Sequence, residues 1–200
     1  MLGLDTNRDC SSIAEMIVAD GRQFVCRYYA HPGSKKGLMS DELQKLRKAN
    51  LKVVAVWENG YPTSAGYFSY SQGVNDGVGA YKYAVQIGQP AGTPIYFAVD
   101  YDASTADLNG GIANYFKGVA FGMETAARGA SKYAIGVYGS GESCIFALSS
   151  GFATYSWLSM STGWSGHTFG GWNIRQSKGR KFGDIDVDFD ESSDSDFGAF

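Results

Sequence analysis

Two hundred residues, 44% of them hydrophobic, can bury one core and are short for two domains. A formal charge of −3 with no basic run argues against nucleic acid as a partner, and no run of about 18 apolar residues is present to insert into a membrane. Cys10, Cys26 and Cys144 are widely spaced without a CxxC pair, and His31 and His167 sit in Gly-rich loop sequence, so no disulfide framework, metal or cofactor is expected.

Strand-like and helix-like segments alternate through the first three quarters of the chain. Residues 2–5 read as a very short first strand, and Ser12 with Glu15 three residues on predicts a capping box for the first helix. Residues 24–29 (FVCRYY) read as the second strand. Ser40 is placed to cap the next helix, with Asp41 and Glu42 in its first turn. Residues 51–57 (LKVVAVW) are nearly continuous in apolar side chains, as a parallel strand buried on both faces should be. A Gly- and Tyr-rich stretch over 59–79 leads into a helix ending near Gly88, although each interior glycine opposes it by about 1 kcal/mol.

Residues 94–102 (PIYFAVDYD) form the fourth strand. Ser104, with Asp107 three residues on, opens the longest helix, which runs to about Arg128. Residues 133–138 (YAIGVY) are the fifth strand, followed by a short helix over 142–148. Three more strands, 155–160, 172–176 and 185–189, are separated by Gly-rich gaps without helical periodicity. Five strand–helix units and three strands make eight, enough to close a barrel, and omitting the last helices brings the usual length of about 250 residues down to this one. The fold class is therefore α/β, a TIM-like barrel of the (β/α)5β3 type, as a single domain over 1–200 with roughly the last ten residues as a tail. An open doubly wound sheet is the alternative, but no phosphate-binding Gly fingerprint follows the first strand.

The acidic residues give this barrel a candidate site. Side chains alternate along a strand, so Asp100 and Asp102 point the same way about 7 Å apart, at the C-terminal end where such barrels build active sites. Asp5 ends the first strand, Glu58 directly follows the third, and Asp184, Asp186, Asp188 and Asp190 alternate on one face near the end. Converging carboxyl groups raise one another's pKa, and one protonated with one ionised group is the equipment for cleaving a glycosidic bond. The same ring also suits calcium, while Asp102 as a helix cap and Asp184 and Asp186 as a solvated edge are the plain structural readings. Arg27 and Arg175 interrupt apolar strands and need partners, either these aspartates or an acidic or amide group of a substrate. Tyr28, Tyr138 and Trp157 lie near strand ends, where they would line a sugar subsite or fill the core.

GLD at the first strand, CRYY at the second, VVAVWENG at the third, PIYFAVDYD at the fourth, IGVYGSG at the fifth and VDFD near the end together resemble one family. It is the bacterial glycoside hydrolase-like domain of the Rv2525c type, related to the lysozymes of glycoside hydrolase family 25, and the resemblance spans about residues 1–190. It implies peptidoglycan as the glycan partner and N-acetylmuramidase activity at the bacterial cell wall. It places the catalytic carboxyl groups on Asp5, Asp100, Asp102 and Asp188. At Asp102 the lysozymes carry the glutamate that acts as general acid. Aspartate is one methylene shorter and falls about 1 Å short. The acid is therefore expected to be either Asp102 itself or Glu58 from the neighbouring strand, with Asp100 stabilising or activating and Asp5 and Asp188 orienting. The alternative is a catalytically inactive cell-wall glycan-binding module. The sequence MLGLDTNRD shows no Sec leader, so release or export by another route is expected.

Overall fold

In the computed structural model, which describes residues 1–31, 33–194 and 196–200, eight strands hydrogen-bond in chain order into a closed barrel. Strands β1 (Leu2–Asp5), β2 (Phe24–Tyr29), β3 (Lys52–Trp57), β4 (Pro94–Ala98), β5 (Ala134–Gly139), β6 (Tyr155–Leu158) and β7 (Ile174–Phe182) run parallel. The last strand, β8 (Ile185–Ser192), runs antiparallel to both of its neighbours, β7 and β1. This is the α/β barrel expected from the alternation of elements, with one strand inverted. The inversion follows from β7 continuing six residues beyond Gln176, so that only Gly183 and Asp184 connect it to β8. Two residues can make a hairpin, whereas a parallel return needs a dozen or more.

The helices α1 (Ala14–Ala19), α2 (Ser40–Lys48) and α3 (Tyr70–Ile87) follow β1, β2 and β3. After β4, α4 (Thr105–Asp107) passes through a π-turn, Leu108–Ile112, into α5 (Ala113–Ala127), and α6 (Gly141–Ser149) follows β5. The capping box of Ser104 and Asp107 forms as expected. The caps expected of Ser12 and Ser40 do not: α1 starts out of a turn closed by the Ile13 N–H on the Cys10 carbonyl, and Ser40 is already the first residue of α2.

The glycines of α3 oppose its helix in isolation, and packing explains them. A Cβ on Gly77 would lie 2.3 Å from the Val119 carbonyl oxygen, and one on Gly122 would lie 2.3 Å from that of Val74. Backbone thus meets backbone where α3 crosses α5, and dispersion over that contact offsets the lost helix propensity.

Alternation along the strands separates two cores. Phe24 and Cys26 from β2, Val54 and Val56 from β3, Tyr96 from β4 and Trp157 from β6 fill the barrel interior, while Leu4, Val25, Ala55 and Ile95 face the helices. The residues expected as a tail run beneath the barrel. Phe197 is buried against Phe24 with ring centroids 4.6 Å apart, Tyr96 Oη donates to the Phe197 carbonyl at 2.8 Å, and Phe200 exchanges two backbone hydrogen bonds with Val53. With the floor closed and packed, the open end is the C-terminal rim of the parallel strands.

Candidate active site at the barrel mouth

Asp5 closes β1 at this rim, and the β1–β8 register sets Asp188 directly opposite it. Because β8 descends, Asp190 lies one step deeper, opposite Gly3. From β7, Gln176 points inward, donating through Nε2 to Asp5 Oδ2 at 2.7 Å. The other end of that amide, Oε1, accepts from Tyr138 Oη at 3.1 Å and from the Met160 N–H at 3.4 Å. Trp157 Nε1 donates to Asp190 Oδ1 at 2.9 Å. Burial lifts the Asp5 carboxyl to about 7, with the charges of Asp188 and Glu58 adding to it and the Gln176 hydrogen bond opposing. Burial, then the Asp5 charge, hold Asp190 well above the usual carboxylate range.

A second pair of acids stands across the mouth. Glu58 follows β3 and forms an ion pair with Lys36 Nζ at 3.0 Å, both side chains half-buried. Asp100 comes two residues after β4, in a segment anchored by its own N–H donating to the Pro62 carbonyl at 2.9 Å. Burial raises Asp100 to about 6, Glu58 pushing the same way and Lys36 opposing. The same-face argument for Asp100 and Asp102 rests on strand alternation, and both residues lie beyond the end of β4. Since β4 ends at Ala98, strand alternation no longer governs Asp102, which is exposed and accepts from Ser165 N–H at 2.8 Å and Ser165 Oγ at 3.3 Å. The charges acting on Asp100 are those of Glu58, from the adjacent strand, and of Lys36, which opposes it.

Neither arginine reaches these carboxyl groups. Phe24, Cys26 and Tyr28 face the barrel interior, so Arg27 faces α2. There it is fully buried, with Nε 2.6 Å and Nη2 3.0 Å from the Glu42 carboxylate and Nη1 donating to the Thr6 carbonyl at 2.7 Å. Arg175 is on the outer face of β7, exposed, paired with Glu191 and 5.0 Å from the Trp172 ring centroid. Tyr28 and Tyr138 do reach the mouth, both half-buried. Trp157 lies beneath it, 1% exposed and edge-on to Tyr138 at 4.9 Å, as part of the core. Asp184 and Asp186 are exposed on the hairpin, Asp186 beside Lys181 at 3.5 Å.

A crevice of about 210 Å³ opens at the acids, lined by Asp5, Asn7, Tyr28 and Asp188 among others. It shares Asp186, Val187 and Asp188 with a larger cleft of about 790 Å³ between the β7–β8 hairpin and residues 160–163. Another cavity, of about 970 Å³, lies outside the barrel wall between Trp57, His31 and α3 and contains none of these carboxyl groups. Among the described residues, no three His, Cys, Asp or Glu side chains are grouped to hold a metal ion. No helix among the described residues is long and apolar enough to cross a membrane.

Residues 15–194 match the model of the Rv2525c-like, glycoside hydrolase-like domain. This chain belongs to that family. FadG of Bacillus subtilis is 37% identical to it over 161 residues, 78% of this chain and 27% of FadG. The chain thus spans about a quarter of the length of the curated relatives it matches. Among solved structures, the Tat-secreted protein Rv2525c of Mycobacterium tuberculosis superposes with a TM-score of 0.81 at 23% identity, over 99% of this chain and 98% of that one. A muramidase from Trichobolus zukalii superposes at 0.58 with 15% identity, over 98% and 94% of the two chains. These likenesses are of fold. In this Rv2525c-like barrel, Gln176 and Asp190, like Lys36 and Asn7, are polar residues at or beneath the mouth that the sequence motifs did not single out. Asp190 was visible in the alternating acidic run, and Gln176 only as the residue two positions after Ile174 on an inward face.

Proposed function

We propose that this domain is a peptidoglycan glycoside hydrolase of the N-acetylmuramidase type, acting at the bacterial cell wall through the carboxyl groups of its barrel mouth. The observation that carries this reading is the position of Asp100, raised to about 6 by burial and by the charge of Glu58 at the end of the adjacent strand. Glycosidic cleavage needs one carboxyl group that still holds a proton near the working pH and another that is ionised. Asp100 meets the first requirement. Glu58, in its ion pair with Lys36, meets the second. Asp5, Asp188 and Tyr28 line the crevice beside them, where hydrogen bonds to the sugar orient it. In these roles Asp100 replaces Asp102 as the proton donor, because Asp102 is turned to Ser165. The substrate class comes from the fold likeness to the muramidase of Trichobolus zukalii.

The tether of Asp102 also favours a second reading, a glycan-binding module that has lost its acid. Digestion of purified peptidoglycan followed by mass analysis of reducing ends separates the two. Wild-type protein is expected to generate new reducing-end N-acetylmuramic acid, Asp100→Asn to lose about 10²-fold or more of that rate, and Asp102→Asn to retain most of it. Binding of muropeptides without new reducing ends overturns the hydrolase and leaves the binding module.

A further inference from the structure

The two buried acids beneath the mouth, Asp5 and Asp190, have more oxygen atoms than donors. Gln176 Nε2 serves Asp5 Oδ2 and Trp157 Nε1 serves Asp190 Oδ1. Asp190 Oδ2 is buried with no hydrogen-bond partner. Among the described residues, no cation is paired with either group. Arg22, whose charge is felt at Asp190, spends its guanidinium on Asp20 and on the Gly3 carbonyl, stacked over the outer face of Phe189. Two ionised carboxylates side by side in this interior would carry the full cost of burial and of mutual repulsion with only two neutral donors to offset it. Yet Asp5 and Asp190 stand one register step apart on the paired strands β1 and β8, both buried on the interior face. A proton held in the pair removes one of the two charges and gives the unpartnered Asp190 oxygen a role.

We propose that Asp5 and Asp190 hold a single proton between them, and that Asp190 is the positioning residue that sets the charge Asp5 presents to the mouth. Asp190 is out of reach of a sugar, 2% exposed beneath Asp5, so it acts through its partner. The groups facing the pair come from every neighbouring strand: Tyr28 and Cys26 from β2, Glu58 after β3, Asp100 after β4, Tyr138 from β5, Trp157 from β6, Gln176 from β7 and Asp188 from β8. Burial keeps the Cys26 thiol and both tyrosines protonated, so none competes for the shared proton. The shared proton leaves one negative charge, instead of two, beneath a sugar that already meets Glu58 and Asp188. This consequence rests on the glycosidase reading; the proton itself does not.

The test is a carboxyl-carbon NMR titration of the whole chain labelled at aspartate. In wild type, one carboxyl group of the pair is expected to remain protonated at pH 8, after the other has ionised near 7, and the two to titrate as a coupled unit. In Asp190→Asn, the amide takes over the Trp157 bond and donates to Asp5, so Asp5 should ionise at least tenfold more readily. Asp5→Asn should do the same for Asp190, which keeps the test open if one variant fails to fold. Both groups ionised in wild type at pH 8, or titration of the remaining carboxyl unchanged in the variants, overturns the proposal. If wild type turns over peptidoglycan, Asp190→Asn should also move the pH–rate profile. If it does not, the hydrolase reading fails while the titration still decides the shared proton.

Discussion

Gln176 on β7 reaches across β8 to donate its side-chain amide to Asp5 on β1, 2.7 Å away. Its carbonyl end is fixed by the Tyr138 hydroxyl and the Met160 N–H, so the amide has one orientation and its donor faces the acid. This bond is the main influence opposing the burial of Asp5. Gln176→Leu removes it and leaves the Tyr138 hydroxyl without an acceptor. We expect the Asp5 carboxyl to titrate above 7 in this variant, followed by NMR, and stability to fall by about 1–3 kcal/mol in urea unfolding. An unchanged Asp5 titration would show that the amide does not govern it.

Asp100 offers a pair of opposite shifts. Glu58 raises its carboxyl and Lys36 lowers it. Glu58→Gln should therefore bring Asp100 below about 6, and Lys36→Met should take it higher, because the methionine also leaves the Glu58 charge uncompensated. Carboxyl-carbon NMR reads both shifts, since Glu58→Gln also removes the ionised partner that cleavage needs. In Lys36→Met, if Asp100 is the proton donor, the alkaline limb of the pH–rate profile moves up. Movement of the Asp100 titration in one direction in both variants would show that these two charges do not govern it.

Stability should respond to pH through the same acids. Asp5 and Asp100 bind protons more tightly in the folded chain than in the unfolded one, where the carboxyl pKa is 3.8. Between about pH 4 and 7 the folded state therefore holds more protons. Their contribution is complete below the unfolded value and is lost as pH rises through about 6 for Asp100 and about 7 for Asp5. Replacing both by Asn should make the slope of unfolding free energy against pH less negative over that window, measured by urea unfolding at fixed ionic strength.

The barrel was legible because a 2-residue period in strands and near-continuous apolar runs mark strands wherever the core is on both sides, as in KVVAVW. The facing of Arg27 was missed, since it was assigned to the aspartates or a substrate, although Phe24, Cys26 and Tyr28 at alternate positions leave it the helix side of β2. The end of β4 was not legible. Nothing in PIYFAVDYD says that pairing stops at Ala98, and with that stop the alternation argument for Asp102 lapses. The direction of β8 was hidden in SKGRK, whose charges read as loop while its backbone extends β7 into a hairpin. The glycines of α3 were the most misleading, because their value appears only against α5. Gly77→Ala tests this: alanine gains up to about 1 kcal/mol of helix propensity, yet its Cβ would stand 2.3 Å from the Val119 carbonyl. We expect a net loss of about 1–3 kcal/mol in urea unfolding. A stabilised variant would mean that α3 and α5 can part without cost.

Arg27 separates a structural from a substrate role most sharply. Its guanidinium and the Glu42 carboxylate are both fully buried, and Glu42 Oε1 also accepts from the Cys10 N–H at 2.9 Å. The pair thus ties β2, α2 and the segment after Asp5 together from behind the barrel wall. Arg27→Met leaves the Glu42 charge buried with that one backbone donor, and such a broken pair costs about 3–5 kcal/mol. Adding Glu42→Leu removes the stranded charge and should recover a large part of the loss, since a packed apolar pair can match a buried ion pair. Urea unfolding of the two single variants and the double variant gives the coupling directly. If Arg27 instead served a substrate, Arg27→Met would leave stability nearly intact and weaken glycan binding. The position of its guanidinium, bonded to Glu42 and to the Thr6 carbonyl on the helix side of β2, requires the opposite order of effects.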